Sequence, residues 1–525
     1  MRSGRSHFGF AAMFSRRAFL GAALVVASLG LSHPAQALDL DWSGQFRAEA
    51  DWIHNYNLDS SNAATDATRE AGKGYYIPGG GTSTAQFQTL FMRLKPKLIV
   101  NDNIYIKSEW WVGDPIYGLF GSGAPQTGDQ RQYYSNQNRG SAISAQRFWA
   151  EILTDVGTVQ VGRAPLNWGL GVVWNNGDGL WDRYESTGDI IRLISKFGAF
   201  TFSPGIVKYS MGNTVGGACA VTGPGVCSTL PGDGGVSEIT LSFQYDNPDE
   251  DFEGGVNFIR RISAGAQDPT SGYLGIGLSG GGQVPVGGSY NTWDVYAKKK
   301  FGKFSLGGEL PIASGDIGGL GYKTFGLAAE AGYKFSDTFE TTLKAGHAPG
   351  QGSVTPGTLP GQYKAFYFNP NYRLGMIMFN YQLANFSGPQ TQNNPATGSA
   401  NLSSPYDNPI VNANYLNLGL ALRADKWNFH GGFTWAQAQE AALANQDFYN
   451  HLRHQYVADA TGNNQSTSLG WEMDYGTTFQ WDDNFQVGLD MGVFFPGAYY
   501  KYSNTAVGNA TDTVIAGQAR VGITF

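Results

Sequence analysis

From Asp41 to the C-terminus the chain repeats one pattern, some ten to fourteen residues of alternating character and then a turn. Successive side chains of a strand point to opposite faces, so alternation assigns each residue to a face. Trp427, Phe429, Gly431, Phe433 and Trp435 are interleaved with Asn428, His430, Gly432 and Thr434. Phe485, Val487, Leu489, Met491, Val493 and Phe495 alternate with Gln486, Gly488, Asp490 and Gly492. Phe304, Leu306, Gly308, Leu310 and Ile312 oppose Ser305, Gly307 and Glu309. In each, one face is apolar and ends in aromatics, and the other is small, polar or charged. A chain built this way folds as sheet with two unlike faces.

A soluble sandwich alternates too, and two further features separate the cases. Short turns (155–157, 302–303, 336–337, 424–426 and 482–484) take turns with long polar loops (56–84, 114–142, 211–235, 264–288 and 439–465). Short turns on one side and long loops on the other mark a transmembrane barrel. The chain also ends in Ile515, Gly517, Ala519, Val521, Ile523 and Phe525. This terminal alternation resembles the signal by which the assembly machinery recognises outer-membrane barrels, which makes Phe525 a partner residue. In lipid every backbone N–H and C=O must pair, so only a closed sheet is permitted.

The expected fold is therefore all-β: one transmembrane antiparallel barrel of about 18–20 strands over residues 38–525. Nineteen strands read clearly. Both ends of a bacterial barrel lie in the periplasm, which requires an even number. Gln362 to Phe368, before Asn369-Pro370-Asn371, would supply a twentieth, and eighteen is the next count. No plug-sized domain precedes strand one at Asp41.

Composition agrees. With 73 Gly, 32 Phe, 27 Tyr and 13 Trp among 525 residues, the aromatic load excludes disorder. Two cysteines exclude a disulfide-stapled mini-domain. Mean hydropathy is -0.26, and the one long apolar run is N-terminal, which excludes a bundle of membrane helices.

Residues 1–37 read as an export signal. Arg2, Arg5, Arg16 and Arg17 precede an apolar stretch from Ala18 to Leu31, and Ala35-Gln36-Ala37 forms a cleavage site. Ser15 to Leu20 also fits the twin-arginine pattern, a route at odds with a barrel that crosses the inner membrane unfolded; a start at Met13 leaves an ordinary basic segment. Losing these four arginines moves the formal charge from -7 to -11. No sustained basic patch suggests nucleic acid. Cys219 and Cys227 share one turn-rich stretch, and an oxidising compartment closes them into a local disulfide more readily than a metal site.

Alternation turns twelve basic residues inward: Arg47, Arg93, Lys95, Lys107, Arg147, Arg192, Arg261, Lys298, Lys334, Lys344, Arg423 and Arg520. It turns thirteen acids inward: Glu49, Asp51, Glu109, Glu151, Glu238, Glu253, Asp294, Glu309, Glu330, Glu340, Glu472, Asp474 and Asp490. Mixed signs give a transverse field rather than a strong ion preference. So many charges argue against a dry interior, and the expectation is a water-filled pore for small hydrophilic solutes, saccharides among them. No cofactor or metal is expected, and outer-membrane lipids are the surrounding partner.

The densest motif runs Gly162-Arg163-Ala164-Pro165-Leu166-Asn167-Trp168-Gly169-Leu170-Gly171, then Asn175-Asn176-Gly177-Asp178-Gly179, with Asp182 and Arg183 following. As a Gly-rich loop between strands five and six, it is the expected constriction, carried by Arg163, Trp168, Asn175, Asn176, Asp178, Asp182 and Arg183. The Asn and Asp oxygens suit either Ca2+ or, more simply, Asx turns. This run is similar to a segment of large outer-membrane proteins of predatory and soil-dwelling Gram-negative bacteria. Leu469-Gly470-Trp471-Glu472-Met473-Asp474-Tyr475, followed by Gly492-Val493-Phe494-Phe495-Pro496-Gly497, resembles the C-terminal signature of the alginate-export porin family. That resemblance covers the last two or three strands. It implies an eighteen-stranded porin with Glu472 and Asp474 on the lumen wall; an alginate conduit would need a lumen dominated by Arg and Lys, and this one is balanced.

Two other classes stay open. An outer-membrane lipase or protease needs a nucleophile–base pair, and His430 faces inward without one beside it in sequence. An adhesin or receptor would use loop aromatics such as Tyr133-Tyr134, Trp181 and Tyr499-Tyr500. His451 and His454 lie on one face of an expected solvated loop helix, where a metal pair is the weaker reading.

Overall fold

The computed structural model describes residues 39–56, 84–113, 143–210, 236–263, 288–317, 319–381, 408–451, 455–459, 462–502 and 510–525, with 58, 60, 115 and 383. Its wall consists of eighteen antiparallel strands. In chain order they are β1 (Gly44–His54), β2 (Thr84–Leu94, resumed at Lys97–Asn101), β3 (Ile104–Gly113), β4 (Ile143–Thr154), β5 (Gly157–Pro165) and β6 (Thr187–Phe197). β7 (Phe200–Ser210), β8 (Val236–Asn247), β9 (Phe252–Ser263), β10 (Gly288–Phe301), β11 (Phe304–Ile317) and β12 (Leu320–Phe325, resumed at Leu327–Lys334) follow. β13 (Phe339–Ala348), β14 (Ala413–Ala424), β15 (Trp427–Gln437), β16 (Ser468–Gln480), β17 (Phe485–Pro496) and β18 (Val514–Thr524) complete the wall. Each strand pairs with its sequence neighbours, and β1 pairs with β18, so the sheet closes on itself. Closure leaves no edge exposed to lipid.

Pro96, which has no N–H, interrupts β2, and Gly326 interrupts β12 while still donating to the Pro311 carbonyl at 2.9 Å. Gln362 to Phe368 is not a wall strand. Gln362–Tyr363 pairs in parallel with Gly321 and Tyr322 for two residues only, and the chain then turns inward to bury Phe366 and Phe368.

The short turns, the start of β1 at Gly44 and the C-terminal Phe525 lie at one end of the barrel, termed the turn end. The long connections lie at the other, the loop end, where only β11 and β12 join tightly. The outward face exposes a large apolar surface, from Ile191 and Ile206 to Leu418, Leu420, Met473, Leu489 and Met491. That much apolar area is stable only under lipid. Aromatic pairs rim the turn end, among them Phe200–Phe243 at 5.3 Å and Trp427–Phe479 at 4.7 Å between ring centroids.

The seam is tight. Gly44 donates its N–H to the carbonyl of Phe525 at 2.8 Å and accepts from the Phe525 N–H at 3.0 Å. A Cβ on Gly44 would lie 2.5 Å from the Arg93 carbonyl and 2.7 Å from the Phe525 ring. Gly44→Val should therefore force the seam apart and cost about 1–3 kcal/mol. Refolding in detergent and thermal unfolding by circular dichroism read the loss; wild-type stability in the variant would mean that the seam is looser than described.

Candidate functional site: a lumen occupied by two loops

Every charged residue assigned to the lumen from alternation stands on the inward face where it is described. The surroundings differ from the open water expected. Two connections at the loop end fold into the barrel: the β5–β6 loop (166–186), here L3, and the first part of the β13–β14 loop (349–383), here L7. The wall charges hold their backbones.

The basic wall over β1–β4 carries L3. Arg47 donates to the carbonyls of Leu180 (2.7 Å) and Asp182 (2.6 Å), Arg93 to that of Gly177 (2.7 Å), and Arg147 to that of Asn176. These three guanidiniums are 1% exposed, so each hydrogen bond replaces one to water. Glu109 bridges two of them, 2.9 Å from Arg93 and 2.8 Å from Arg147. Glu49 lies 3.3 Å from Arg47 and pairs with Arg183 of L3. Lys95 reaches Asp178 at 2.7 Å.

Across the lumen the partners reverse sign. Glu309 on β11 accepts the backbone N–H groups of Leu170, Val172 and Val173. Gly169 and Gly171, at φ 57° and 83°, set the turn that aims these N–H groups at one carboxylate. Trp168 is buried against Tyr296, edge-on at 4.9 Å, and its indole N–H meets the Asp294 carbonyl at 3.2 Å. Lys298 donates to the Gly169 carbonyl at 2.9 Å.

L7 is held the same way. Glu472 accepts from the N–H groups of Ile377 (2.6 Å) and Met378 (2.5 Å), and Asp474 from that of Met376 (3.3 Å). Asp51 accepts from the Tyr381 hydroxyl. Phe366, Phe368, Tyr372, Ile377, Met378, Phe379 and Tyr381 then pack against inward residues of the wall's upper rungs, such as Ile53, Phe87, Tyr415 and Ala516. The two loops also bind each other. Asn371 Oδ1 accepts from the N–H groups of Arg183 (3.2 Å) and Tyr184 (3.1 Å), its amide donates to the Tyr184 carbonyl (2.6 Å), and the Asn369 N–H donates to the Val172 carbonyl (2.7 Å).

These observations correct several expectations. The interior at this height is packed rather than water-filled: Asp294 and Glu472 are 0% exposed, Asp294 covered by Trp168 and Glu472 capped by loop N–H groups that take the place expected for water. Arg163 is not in the loop; it stands on the outward face of β5 and forms a two-point ion pair with Asp189 at 2.7 and 3.1 Å. Asn175, Asn176 and Asp182 cap local turns, accepting from the N–H groups of Gly177, Asp178 and Gly179. The expected loop helix around His451 is instead a hairpin (Phe448–Asn450 with Gln455–Val457), and buried His451 accepts from the Gln351 N–H at 2.9 Å. His430 gains a carboxylate from another strand, Asp490 at 2.7 Å, which Arg520 also pairs; that guanidinium lies 4.7 Å over the Trp181 ring. Cys219, Cys227, His454 and Tyr133-Tyr134 lie outside the described residues.

Most of the remaining wall pairs run along the strands toward the turn end. Lys107 meets Glu151 at 2.8 Å and Arg423 meets Glu340 at 2.9 Å there, whereas Arg261 meets Glu238 at 2.8 Å near the loop end. Arg192 donates to the Gln160 amide oxygen at 3.0 Å. Below L3 a cavity of about 620 Å³ opens at the turn end, lined in part by Glu253, Lys298, Glu330, Thr342 and Lys344. Lys344 and Glu330 are 3.1 Å apart and only about 30% exposed each, so this vestibule presents both signs of charge to water.

The fold and lumen define an eighteen-stranded transmembrane β-barrel narrowed by its own loops. No family model matches the chain, and no curated protein is similar to it in sequence. Among solved structures it is similar to OccK2 (OpdF) of Pseudomonas aeruginosa, with 7% identity, TM-score 0.46, and 92% of this chain and 98% of that one covered. It is also similar to an anion-selective porin from Comamonas acidovorans, with 12% identity, TM-score 0.38 and coverages of 93% and 100%. OmpT, an outer membrane protein of Vibrio cholerae, aligns with 8% identity, TM-score 0.37 and coverages of 94% and 98%.

Two predictions follow from the anchors. Glu472→Ala strips two L7 N–H groups of their acceptor, whereas Glu472→Gln keeps one carbonyl oxygen; losing charge-assisted bonds of this kind costs about 1.5–3 kcal/mol each. Limited proteolysis of the folded barrel should cut L7 faster in the alanine variant than in the glutamine variant, and equal rates would mean that Glu472 does not hold the loop. Glu185, at the end of L3, has its carboxyl pushed up to about 7 by burial and by Glu109, although Arg147 lies 3.1 Å away. An acid with a raised folded pKa binds its proton more tightly when folded. Its contribution is full below its ordinary value and is lost as pH rises toward 7. Wild-type thermal stability should thus fall between pH 5 and 8 by more than that of Glu185→Gln, with parallel profiles counting against the assignment.

Proposed function

We propose that this chain is an outer-membrane channel for small hydrophilic solutes of low net charge, saccharides among them. The supporting observation is the vestibule: a mixed-charge, water-accessible space enters the barrel from the turn end and stops at L3, the loop that narrows the lumen. Opposed lysines and glutamates on its wall favour neither anions nor cations strongly, and their hydrogen-bonding capacity suits hydroxyl-rich solutes. Export by residues 1–37, insertion by recognition of the last strand ending at Phe525, and outer-membrane lipid around the apolar face belong to the same proposal. So does the placing of the turn end in the periplasm.

The enzyme alternative has gained a His–Asp pair, His430 with Asp490. Arg520 shares that carboxylate, which fits a wall ion cluster better than a base aimed at a nucleophile.

The test is conductance of the refolded chain in a planar bilayer, wild type beside the double variant Glu309→Ala, Glu472→Ala, which strips both loops of their carboxylate acceptors. The expected result is small steps for the wild type, steps several-fold larger for the variant, and a reversal potential near zero in a KCl gradient. Silence of both proteins at high salt would overturn the proposal.

A further inference from the structure

The outward face changes character over a single rung near the loop end of β9 to β12. Phe258, Trp293, Ile312 and Phe325 stand side by side across these four strands. Two residues nearer the loop end, the same register aligns Arg260, Asn291, Ser314 and Lys323. The next rung toward the membrane centre holds Val256, Val295 and Leu310. An apolar band, an aromatic row and then a fully polar row is the profile of a bilayer boundary. Strand spacing of about 4.8 Å puts Arg260 and Lys323 roughly 14 Å apart. Both are exposed, and neither forms an ion pair with a described residue.

The placement is one-sided. On the described strands, outward-facing Arg and Lys at the loop end fall on β5 to β12: Arg163, Lys208, Arg260 and Lys323. Equivalent positions on the other wall hold Gln86, Ile143, Asn414 and Gln437. Arg163 is paired with Asp189, which also faces Lys208 across the ladder; in the β9–β12 patch Arg260 and Lys323 stand against one outward carboxylate of the described strands, Asp316, two residues further toward the loop end, which leaves the patch net positive. Solubility does not explain cations on a surface that faces lipid; an anionic headgroup at that depth does.

We propose that this row seats a phosphorylated glycolipid of the leaflet at the loop end. Arg260 presents its planar fork to one phosphate, Lys323 presents a compact charge to another, and Asn291 and Ser314 hydrogen-bond the sugar between them. The acyl chains lie below on Phe258, Trp293, Ile312 and Phe325. The choice of leaflet rests on the outer-membrane reading, but binding does not require conduction, so a chain that conducts and fails to bind overturns this inference alone.

The probe is a diphosphorylated acyl-disaccharide, compared with its dephosphorylated form, added to the refolded full chain in neutral detergent and read by native mass spectrometry. The phosphorylated form should bind more tightly. Arg260→Gln with Lys323→Gln should weaken it about tenfold or more, Arg260→Lys with Lys323 intact should keep most of the binding, and Lys426→Gln at the turn end should leave it unchanged. Both sites are exposed, so the double variant should unfold at the wild-type temperature. Equal binding of the two lipid forms, wild-type affinity in the double variant, or an equal loss in Lys426→Gln would overturn the proposal.

Discussion

A loop that enters a barrel brings its backbone N–H and C=O groups with it, and satisfying those groups dictates the composition of the wall. L3 presents carbonyls to β1–β4, where Arg47, Arg93 and Arg147 answer them, and N–H groups to β11, where Glu309 collects three. L7 presents N–H groups to Glu472 and Asp474. The balance of charge in the lumen thus follows from the two polarities of the peptide unit. Unpaired, any of these buried ions would be costly; paired with backbone and with one another, they fix where each loop sits.

Much of the fold was legible because alternation is local. A period of two needs no knowledge of distant partners, and Trp427 to Trp435 or Phe485 to Phe495 assign their own faces. The inward register of the charges followed from the same rule. Strand number was less secure, since Gln362 to Phe368 has the composition of a strand and only its parallel, two-residue pairing reveals an inward turn. The residues around His451 show helical spacing, but tertiary burial made them a hairpin.

The occupied lumen was not legible, for a different reason. Glu309 meets Leu170, and Glu472 meets Ile377, across more than ninety residues of sequence. The balanced charges suggested water because their partners are main-chain atoms, which leave no trace in side-chain composition. One signal was present: Leu374-Gly375-Met376-Ile377-Met378-Phe379 is too apolar for a solvated loop. Likewise His430, Asp490 and Arg520 belong to three strands and meet only once β15 to β18 pair in register.

The bonds between L3 and L7 carry a consequence for motion. Asn369 and Asn371 fasten the second loop to Val172, Arg183 and Tyr184 of the first, so neither loop leaves the lumen without stripping hydrogen bonds from the other. Displacement is then cooperative. The hydrogen bonds thus tie the two loops into one packed unit, and opening either one requires breaking contacts with the other.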